Sequence, residues 1–273
     1  MLRRWLSHYG RHLGSQNLLV IDHGSDDGST ADLGAASRIL LPRSITGYDE
    51  GLRVEFVNDL QAALLRFYDV VLYVDCDEFL IPDPRKFANL TDYVAKTSAS
   101  CVRPVGLDLV HNRRDEPALG DDGPVLAHRA HCKFMLGSCK PAITRVPIRW
   151  IVGFHSCNVV AKVDPNLFLI HLKYADYQAA MTRADLTRNL KWSDRTFSAG
   201  WSKRHRATSE ELTRTFFDDP ADRVARDGAA ELDAYSLAEQ FNRSLVRRYG
   251  ISRRQPPADG TLYKVPEWLR AAL

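Results

Sequence analysis

The sequence has no long apolar run, few cysteines and almost no excess of either charge. No stretch approaches the ~18 to 20 consecutive apolar residues that cross a bilayer, and the N-terminus lacks a secretory signal, so we expect a soluble, cytoplasmic protein. Its 5 cysteines are an odd number scattered through the chain, which argues against a disulfide framework and favours a reducing compartment. A formal net charge of +3, with both signs interspersed, gives no case for nucleic-acid binding.

The remaining composition is that of a globular chain. With 45% hydrophobic and 26% charged residues, it is neither wholly disordered nor collagenous. Its 273 residues fit one large α/β domain, with two smaller domains as the alternative. Residues 1–14 place Leu2, Trp5 and Leu13 on or near one helical face. We expect this amphipathic helix to pack on the core; peripheral contact with the inner face of a membrane is the alternative.

Apolar runs alternate with a helical pattern in the first part of the chain. The pattern predicts a strand over 17–22, a second over 38–41, a helix over 50–68 and a third strand over 70–74. This order is typical of an α/β fold with a mostly parallel mixed sheet flanked by helices. Ligands of such sheets bind beyond the carboxyl ends of the strands, where the acidic turns after the first and third strands would both lie.

Further elements are predicted downstream: a helix over 87–95, strands over 100–105 and 167–171, and a loop over 112–123. From about residue 201 the composition changes, and the sequence predicts a helical appendage around 229–249 followed by a loose C-terminal tail. We therefore expect one domain over 1–200 and a helical extension over 201–273 packed on it.

Two carboxylates, Asp75 and Asp77, follow the apolar run VVLYV directly, with Glu78 beside them. Hard divalent cations such as Mn²⁺ or Mg²⁺ take oxygen ligands and bridge protein carboxylates to substrate phosphates. The pair therefore predicts a site for a metal-bound diphosphate. Solvated turn residues are the alternative interpretation.

A second acidic turn, DHGSDDGST, follows the strand predicted over 17–22. Asp22, Asp26 and Asp27 could hydrogen-bond the ribose and base edge of a nucleoside, while Gly24 and Gly28 allow tight backbone geometry. The same residues are also those that ordinary solvent-exposed turns favour.

In this order, and roughly fifty residues apart, VIDHGSDDGS and VVLYVDCDEFLIPD resemble the nucleotide-sugar motifs of family 2-like glycosyltransferases. The similarity is greatest to the subgroup related to glycosyltransferase family 92, which carries a DxDEF sequence. The segment LRRWLSHYGRHLG resembles the helix that follows the opening strand of those enzymes. The resemblance covers roughly residues 1 to 190 and implies the Rossmann-like GT-A fold.

The resemblance also implies an activity. The chain would be a metal-dependent transferase, inverting, that moves a sugar from a nucleoside diphosphate donor, with UDP expected, to a glycan or lipid-linked acceptor in polysaccharide biosynthesis. Asp75 and Asp77 would bind the metal and the diphosphate, and Asp22 with the SDDGS turn would face the nucleotide. A divalent ion stabilises the negative charge that develops on such a leaving group.

Further ligands follow from the same resemblance. A C-terminal histidine often completes the metal or phosphate site of GT-A enzymes, and His155 and His171 are the candidates. His171 ends a predicted strand and is followed by Lys173, which could meet phosphate. Lys140 lies in KPAITR, which resembles a basic stretch of the family.

Inverting transfer needs a carboxylate that accepts the proton of the acceptor hydroxyl. The candidates are Asp108, which follows the strand predicted over 100–105, and Glu78 beside the metal motif.

Two other functions stay open. An apolar strand followed by DxD is also typical of haloacid dehalogenase-type phosphatases, in which Asp75 would be the nucleophile and Asp77 the general acid. The chain could also be a degenerate transferase fold that binds a glycan or a nucleotide without turnover. Family members begin with a strand that contacts the base, and this sequence starts after it, which favours that second alternative.

Overall fold

A computed structural model describes residues 1–120, 123–248, 251–254 and 260–273. The helices are α1 (Leu2–Leu13), α2 (Glu50–Leu64), α3 (Leu90–Lys96), α4 (Tyr177–Arg188), α5 (Asp194–Ser198), α6 (Ser209–Thr213), α7 (Asp219–Asp227), α8 (Ala234–Arg243) and α9 (Glu267–Arg270). The strands are β1 (Leu19–Asp22), β2 (Ser37–Leu40), β3 (Val71–Leu72), β4 (Glu78–Pro82), β5 (Cys101–Val110), β6 (His131–Phe134), β7 (Ile143–Thr144), β8 (Val163–His171), β9 (Leu245–Arg248), β10 (Ile251–Arg254) and β11 (Leu262–Lys264).

The long strand β5 organises the main sheet. Along one edge it pairs antiparallel with β7 and β6, and along the other it pairs parallel with β8. Outer strands complete the sheet, since β11 pairs with β6, β3 with β7 and β4 with β8, all antiparallel. A separate parallel pair joins β1 to β2.

The mixed α/β class is confirmed, but the prediction of a mostly parallel sheet is wrong. Among the strands that the structure describes, parallel pairing is confined to β1–β2 and β5–β8. The chain returns from β5 to β6 without a crossover α-helix, and such a direct return reverses the strand direction, while β7 runs in the same direction as β6 and also pairs antiparallel with β5.

Most predicted elements are present, but several differ from the prediction. The strand predicted over 70–74 is paired only over Val71–Leu72, and the motif residues from Glu78 onward form strand β4 rather than a turn. The C-terminal tail is not loose where it is described, because β11 extends the main sheet. Helix α8 lies within the appendage predicted to be helical around 229–249, but Leu245–Arg248 of that range form strand β9. The last residue of the range lies outside the described part of the chain, as do residues 121–122 of the predicted loop.

The C-terminal segment and the sheet share a hydrophobic core. Leu237 and Phe241 of α8 and Leu269 of α9 pack in the same buried cluster as Phe79 of β4. The division of the chain near residue 200 stays a prediction.

Helix α1 packs on the core, as expected, and closes the outer edge of β4. The buried Tyr9 hydroxyl donates to the Glu78 carbonyl at 3.0 Å and accepts the Leu80 amide at 2.9 Å. The His8 ring Nε2 lies 3.0 Å from the Leu80 carbonyl, and burial lowers the pKa of His8 to about 4, so the neutral ring donates this bond. Two side chains of a helix thus satisfy backbone groups that a further strand would otherwise pair.

Across the described ranges, helices are too short or too polar to cross a bilayer.

Candidate active site

Strand register brings the predicted acidic residues together. Glu78 is the partner of His171 across β4 and β8, and His171 is the partner of Asp108 across β8 and β5. Directly paired residues project from the same face of a sheet, so the three side chains form a row. With Asp75 and Asp77 immediately before β4, they make up what we call the carboxylate cluster: Asp75, Asp77, Glu78, Asp108 and His171.

Asp75 is the member of the cluster that is held by two cations. Its Oδ1 accepts from Arg53 of α2 and, at 3.3 Å, from the Tyr73 hydroxyl, while Oδ2 accepts from Lys140 Nζ at 2.8 Å. The Asp75 side chain is 29% exposed. Although burial opposes ionisation, Lys140 and Arg53 hold the pKa of Asp75 well below its usual range. Asp75 is therefore an anion that still faces solvent.

Lys140 links two carboxylates beneath the surface. Its Nζ lies 2.6 Å from Glu78 Oε1 as well as 2.8 Å from Asp75 Oδ2, and its side chain is only 8% exposed. Burial disfavours the charged ammonium, but the two carboxylates outweigh this and raise the pKa of Lys140. The predicted phosphate ligand is thus a buried structural cation, and Glu78 is enclosed with it.

Asp77 is covered by Arg183 and His171. Its Oδ2 accepts from Arg183 Nη1 of helix α4 and lies 3.4 Å from His171 Nε2, with the side chain only 4% exposed. Burial favours the protonated acid, yet Arg183 and His171 hold the pKa of Asp77 well below its usual range.

His171 is fixed from its other side by Asp108. Its Nδ1 lies 3.0 Å from Asp108 Oδ1, which also accepts from the Ser138 hydroxyl at 2.6 Å. Burial alone would lower the pKa of His171, but Asp108 and Asp77 raise it to about 10. The imidazole is therefore charged at neutral pH in this arrangement and bridges two carboxylates.

Sequence reasoning missed Arg53 and Arg183, which supply the charge that balances the cluster. Both lie on helices at positions with no motif around them, and a single arginine on a helix indicates only a solvated face. The one local indication for Arg53 is Glu50, three residues earlier on the same helix, since an acid and an arginine at this spacing can pair. The Glu50 carboxylate lies 3.4 Å from the Arg53 guanidinium.

The first acidic turn has a different construction. Asp22 is buried, and its carboxylate accepts the Ser25 amide at 2.7 Å and the Thr30 hydroxyl at 2.8 Å. Asp26, with a 79% exposed side chain, pairs with Arg43 at 2.9 Å. Asp27 caps the backbone amide of Ser29 at 2.9 Å. Gly24 and Gly28 have φ of +71° and +73°, the left-handed geometry for which glycine was expected here.

An aromatic contact links this turn to the carboxylate cluster. The ring of His23 lies 5.7 Å from that of Tyr48, and Tyr48 is in electrostatic contact with Arg53 and Asp75. The ring of Trp192 packs edge-on against that of Tyr48 at 5.6 Å, and the ring of His205 lies 5.2 Å from that of Trp192. The two acidic turns therefore border one region, joined by aromatic side chains.

The two remaining predicted ligands have different contacts. Lys173 lies near the cluster, where its charge acts on Asp108 and His205. His155 has its Nδ1 2.7 Å from the carbonyl of Gly137, the residue before Ser138, and its own carbonyl accepts from Arg103 at 2.9 Å. Its assignment as a metal ligand stays a prediction.

The donor set suits a divalent cation once its present partners move. Within the described ranges, no three His, Cys, Asp or Glu side chains are already arranged to hold a metal ion, because Asp75 and Asp77 face cationic side chains. However, His171 Nδ1 rests on a carboxylate while Nε2 points toward Asp77 Oδ2, as in a metal-ligating histidine held by an outer carboxylate. By the chemistry of their donor atoms, Asp75, Asp77 and His171 are the residues that would hold such an ion, and their assignment as metal ligands stays a prediction.

Compared with protein-family models, curated proteins and solved structures, the chain matches none.

Proposed function

We propose that this protein transfers a glycosyl group from a nucleoside diphosphate sugar, with UDP as the nucleoside diphosphate, to a hydroxyl of a glycan or lipid-linked acceptor. The observation that carries the proposal is the pairing of Asp75 and Asp77 with surrounding cations at the partly open end of the sheet. The motif resemblance to GT-A glycosyltransferases adds the reaction type, and the GT-A fold is part of the same proposal.

A site for a sugar nucleotide must hold negative charge at the diphosphate and an uncharged ring at either end. Arg53 and Arg183, whose side chains are 30% and 43% exposed, provide cations beside the two aspartates. Tyr48 and Trp192 provide half-buried aromatic surface next to them. Bidentate guanidinium groups are well suited to phosphate oxygens, and aromatic faces to sugar or base rings.

In this mechanism Asp75, Asp77 and His171 would hold a divalent cation, which when bound would stabilise the negative charge on the leaving diphosphate. Lys140 and Arg53 keep Asp75 ionised and fixed. Asp108 and Ser138 orient the imidazole of His171 through Nδ1, so we assign Asp108 to a positioning role. The carboxylate of Glu78 is buried against Lys140. The catalytic base at Asp108 or Glu78 stays a prediction.

The first test is thermal stability of the purified protein with Mn²⁺, with UDP and with both. A ligand that binds the folded state alone raises the apparent stability. We expect the largest rise with both together, followed by turnover in a panel of UDP-sugars. Phosphate release from p-nitrophenyl phosphate without UDP binding would favour the phosphatase alternative instead.

The decisive variant is Asp77→Ala, which removes a central ligand of the proposed site. We expect turnover of the active UDP-sugar to fall by about 10²-fold or more while the fold persists. The matched control is Asp59→Ala, which removes a surface carboxylate paired with Arg149 and 71% exposed. Unchanged turnover in Asp77→Ala would remove this residue from the mechanism, whereas UDP binding without any turnover in the native protein would identify a non-catalytic binding fold.

A further inference from the structure

Arg183 differs from the other cations of the site in its exposure. It extends from helix α4 to Asp77, yet 43% of its side chain remains exposed, whereas the Asp77 side chain that it covers is 4% exposed. The fully buried Arg103 shows the contrasting case, since its guanidinium donates to the carbonyls of Ala161, Cys139 and His155. Arg103 is locked among backbone groups, while Arg183 lies over the cluster from its solvent side.

Arg183 also occupies the position that a divalent cation would need. Its Nη1 contacts Asp77 Oδ2, the same oxygen that lies 3.4 Å from His171 Nε2. A guanidinium and a divalent ion cannot share that oxygen in a small, desolvated site without strong repulsion. Binding of one must therefore displace the other.

The surroundings offer Arg183 a second role once it is displaced. It lies within electrostatic range of the Asp75 carboxylate and, together with Lys173 and Arg53, of His205. These cations border the open side of the cluster, where the phosphates of a nucleotide would lie.

Resting on the function proposed above, we propose that Arg183 is an exchangeable counter-charge: it neutralises Asp77 in the empty site and, when a divalent cation takes Asp77, turns outward to bind the diphosphate. Binding of the metal thereby presents a guanidinium to the nucleotide. This couples the two ligands, because a cation that frees Arg183 from Asp77 improves the affinity for the phosphates.

The test is calorimetric titration of Mn²⁺ alone into the native protein, into Arg183→Gln and into Arg149→Gln. The last variant is the matched control, because it removes one positive charge from a surface pair in which the arginine is 59% exposed. With its competitor gone, Arg183→Gln should bind Mn²⁺ about tenfold more tightly, as expected for loss of one charge-assisted bond, and Arg149→Gln should be unchanged. At saturating Mn²⁺, UDP should bind Arg183→Gln about tenfold more weakly.

Each result has a separate meaning. Equal Mn²⁺ affinity in the native protein and Arg183→Gln would overturn the exchange while leaving the proposed transferase intact. Unchanged UDP affinity at saturating Mn²⁺ would overturn the phosphate role of Arg183. Failure of all three proteins to bind Mn²⁺ would overturn both the inference and the metal dependence of the proposed function.

Discussion

The two acidic turns of this protein have similar sequences and opposite constructions. In the β1 turn, residues 22–30, the acids stabilise the backbone and hydroxyl groups of their own loop, and Asp26 points into solvent. In the β3 turn, residues 75–77, the acids contact cations from α2, α4 and the segment before β7. An acidic turn after a strand therefore does not define a charged site; distant cationic partners do.

The energetic difference follows from burial. The ion pair of Asp26 with Arg43 has both side chains more than half exposed, and such pairs contribute little because water screens them. Lys140 and Glu78 are nearly sealed from solvent, so loss of one partner leaves an uncompensated charge. Substitutions in the two turns should therefore have very different effects.

The largest effect is expected for Lys140→Met. It leaves Glu78 and Asp75 without their shared cation, and breaking a buried pair typically costs about 3–5 kcal/mol. The measurement is the free energy of unfolding in urea, with Arg43→Met in the β1 turn as the control, expected to change by less than about 0.5 kcal/mol. The double variant Lys140→Met with Glu78→Gln should regain part of the lost unfolding free energy, because it no longer buries an unpaired Glu78 carboxylate. Equal losses for Lys140→Met and Arg43→Met would remove the contrast between the turns.

The next largest effect is expected in the pH dependence of the unfolding free energy, through His171 of the carboxylate cluster. The carboxylates raise the pKa of His171 to about 10, so its contribution to stability is complete below the unfolded value near 6.5 and is lost as the pH rises through 10. In chelator-treated protein, the unfolding free energy should fall between these values by up to about 1.4 kcal/mol per pH unit. The His171→Gln variant should lack this fall, and a variant of the exposed His128 should retain it. A native protein with no such fall would show that the imidazole is not held as an ion.

The smallest effect concerns the β1 turn itself. Asp22→Asn weakens the bonds to Ser25 and Thr30 and should cost about 1–2 kcal/mol, whereas Asp26→Asn should be neutral within about 0.5 kcal/mol. Thermal unfolding compares the two variants. Because Asp26→Asn leaves the fold intact, any loss of UDP affinity in that variant would report nucleotide contact directly. Equal destabilisation by the two would contradict the structural role assigned to Asp22.

The sequence predicted most acidic members of the cluster but not the arginines that neutralise their charge. Asp75, Asp77 and Glu78 stood out because they follow an apolar run, and His171 because it ends a strand; the structure places them side by side with Asp108. Arg183 lies 106 positions from Asp77, and nothing local marks such a contact. Which cation contacts which acid depends on the tertiary positions of α2 and α4, which bring Arg53 to Asp75 and Arg183 to Asp77.

The sheet shows the same limit at the level of the fold. Apolar runs predicted β1 closely and parts of β5 and β8, because periodicity reports burial; β5 continues to Val110, so Asp108 lies within the strand that it was predicted to follow. Strand direction depends on which partner the chain finds, so the antiparallel pairing of β4 with β8 could not be deduced. Strand β4 was missed because its first residue, Glu78, reads as a continuation of the acidic turn.

The contact of α1 with β4 has a consequence for how copies of this protein behave toward one another. An outermost strand normally offers its amides and carbonyls to any extended chain, and this is a common start of aggregation. Tyr9 and His8 occupy those groups at Glu78 and Leu80 from a helix, which cannot itself be extended by a further strand. Undocking of α1 would therefore expose a template for intermolecular strand addition directly beside the carboxylate cluster. When α1 is docked, these backbone groups of β4 are not available to another chain.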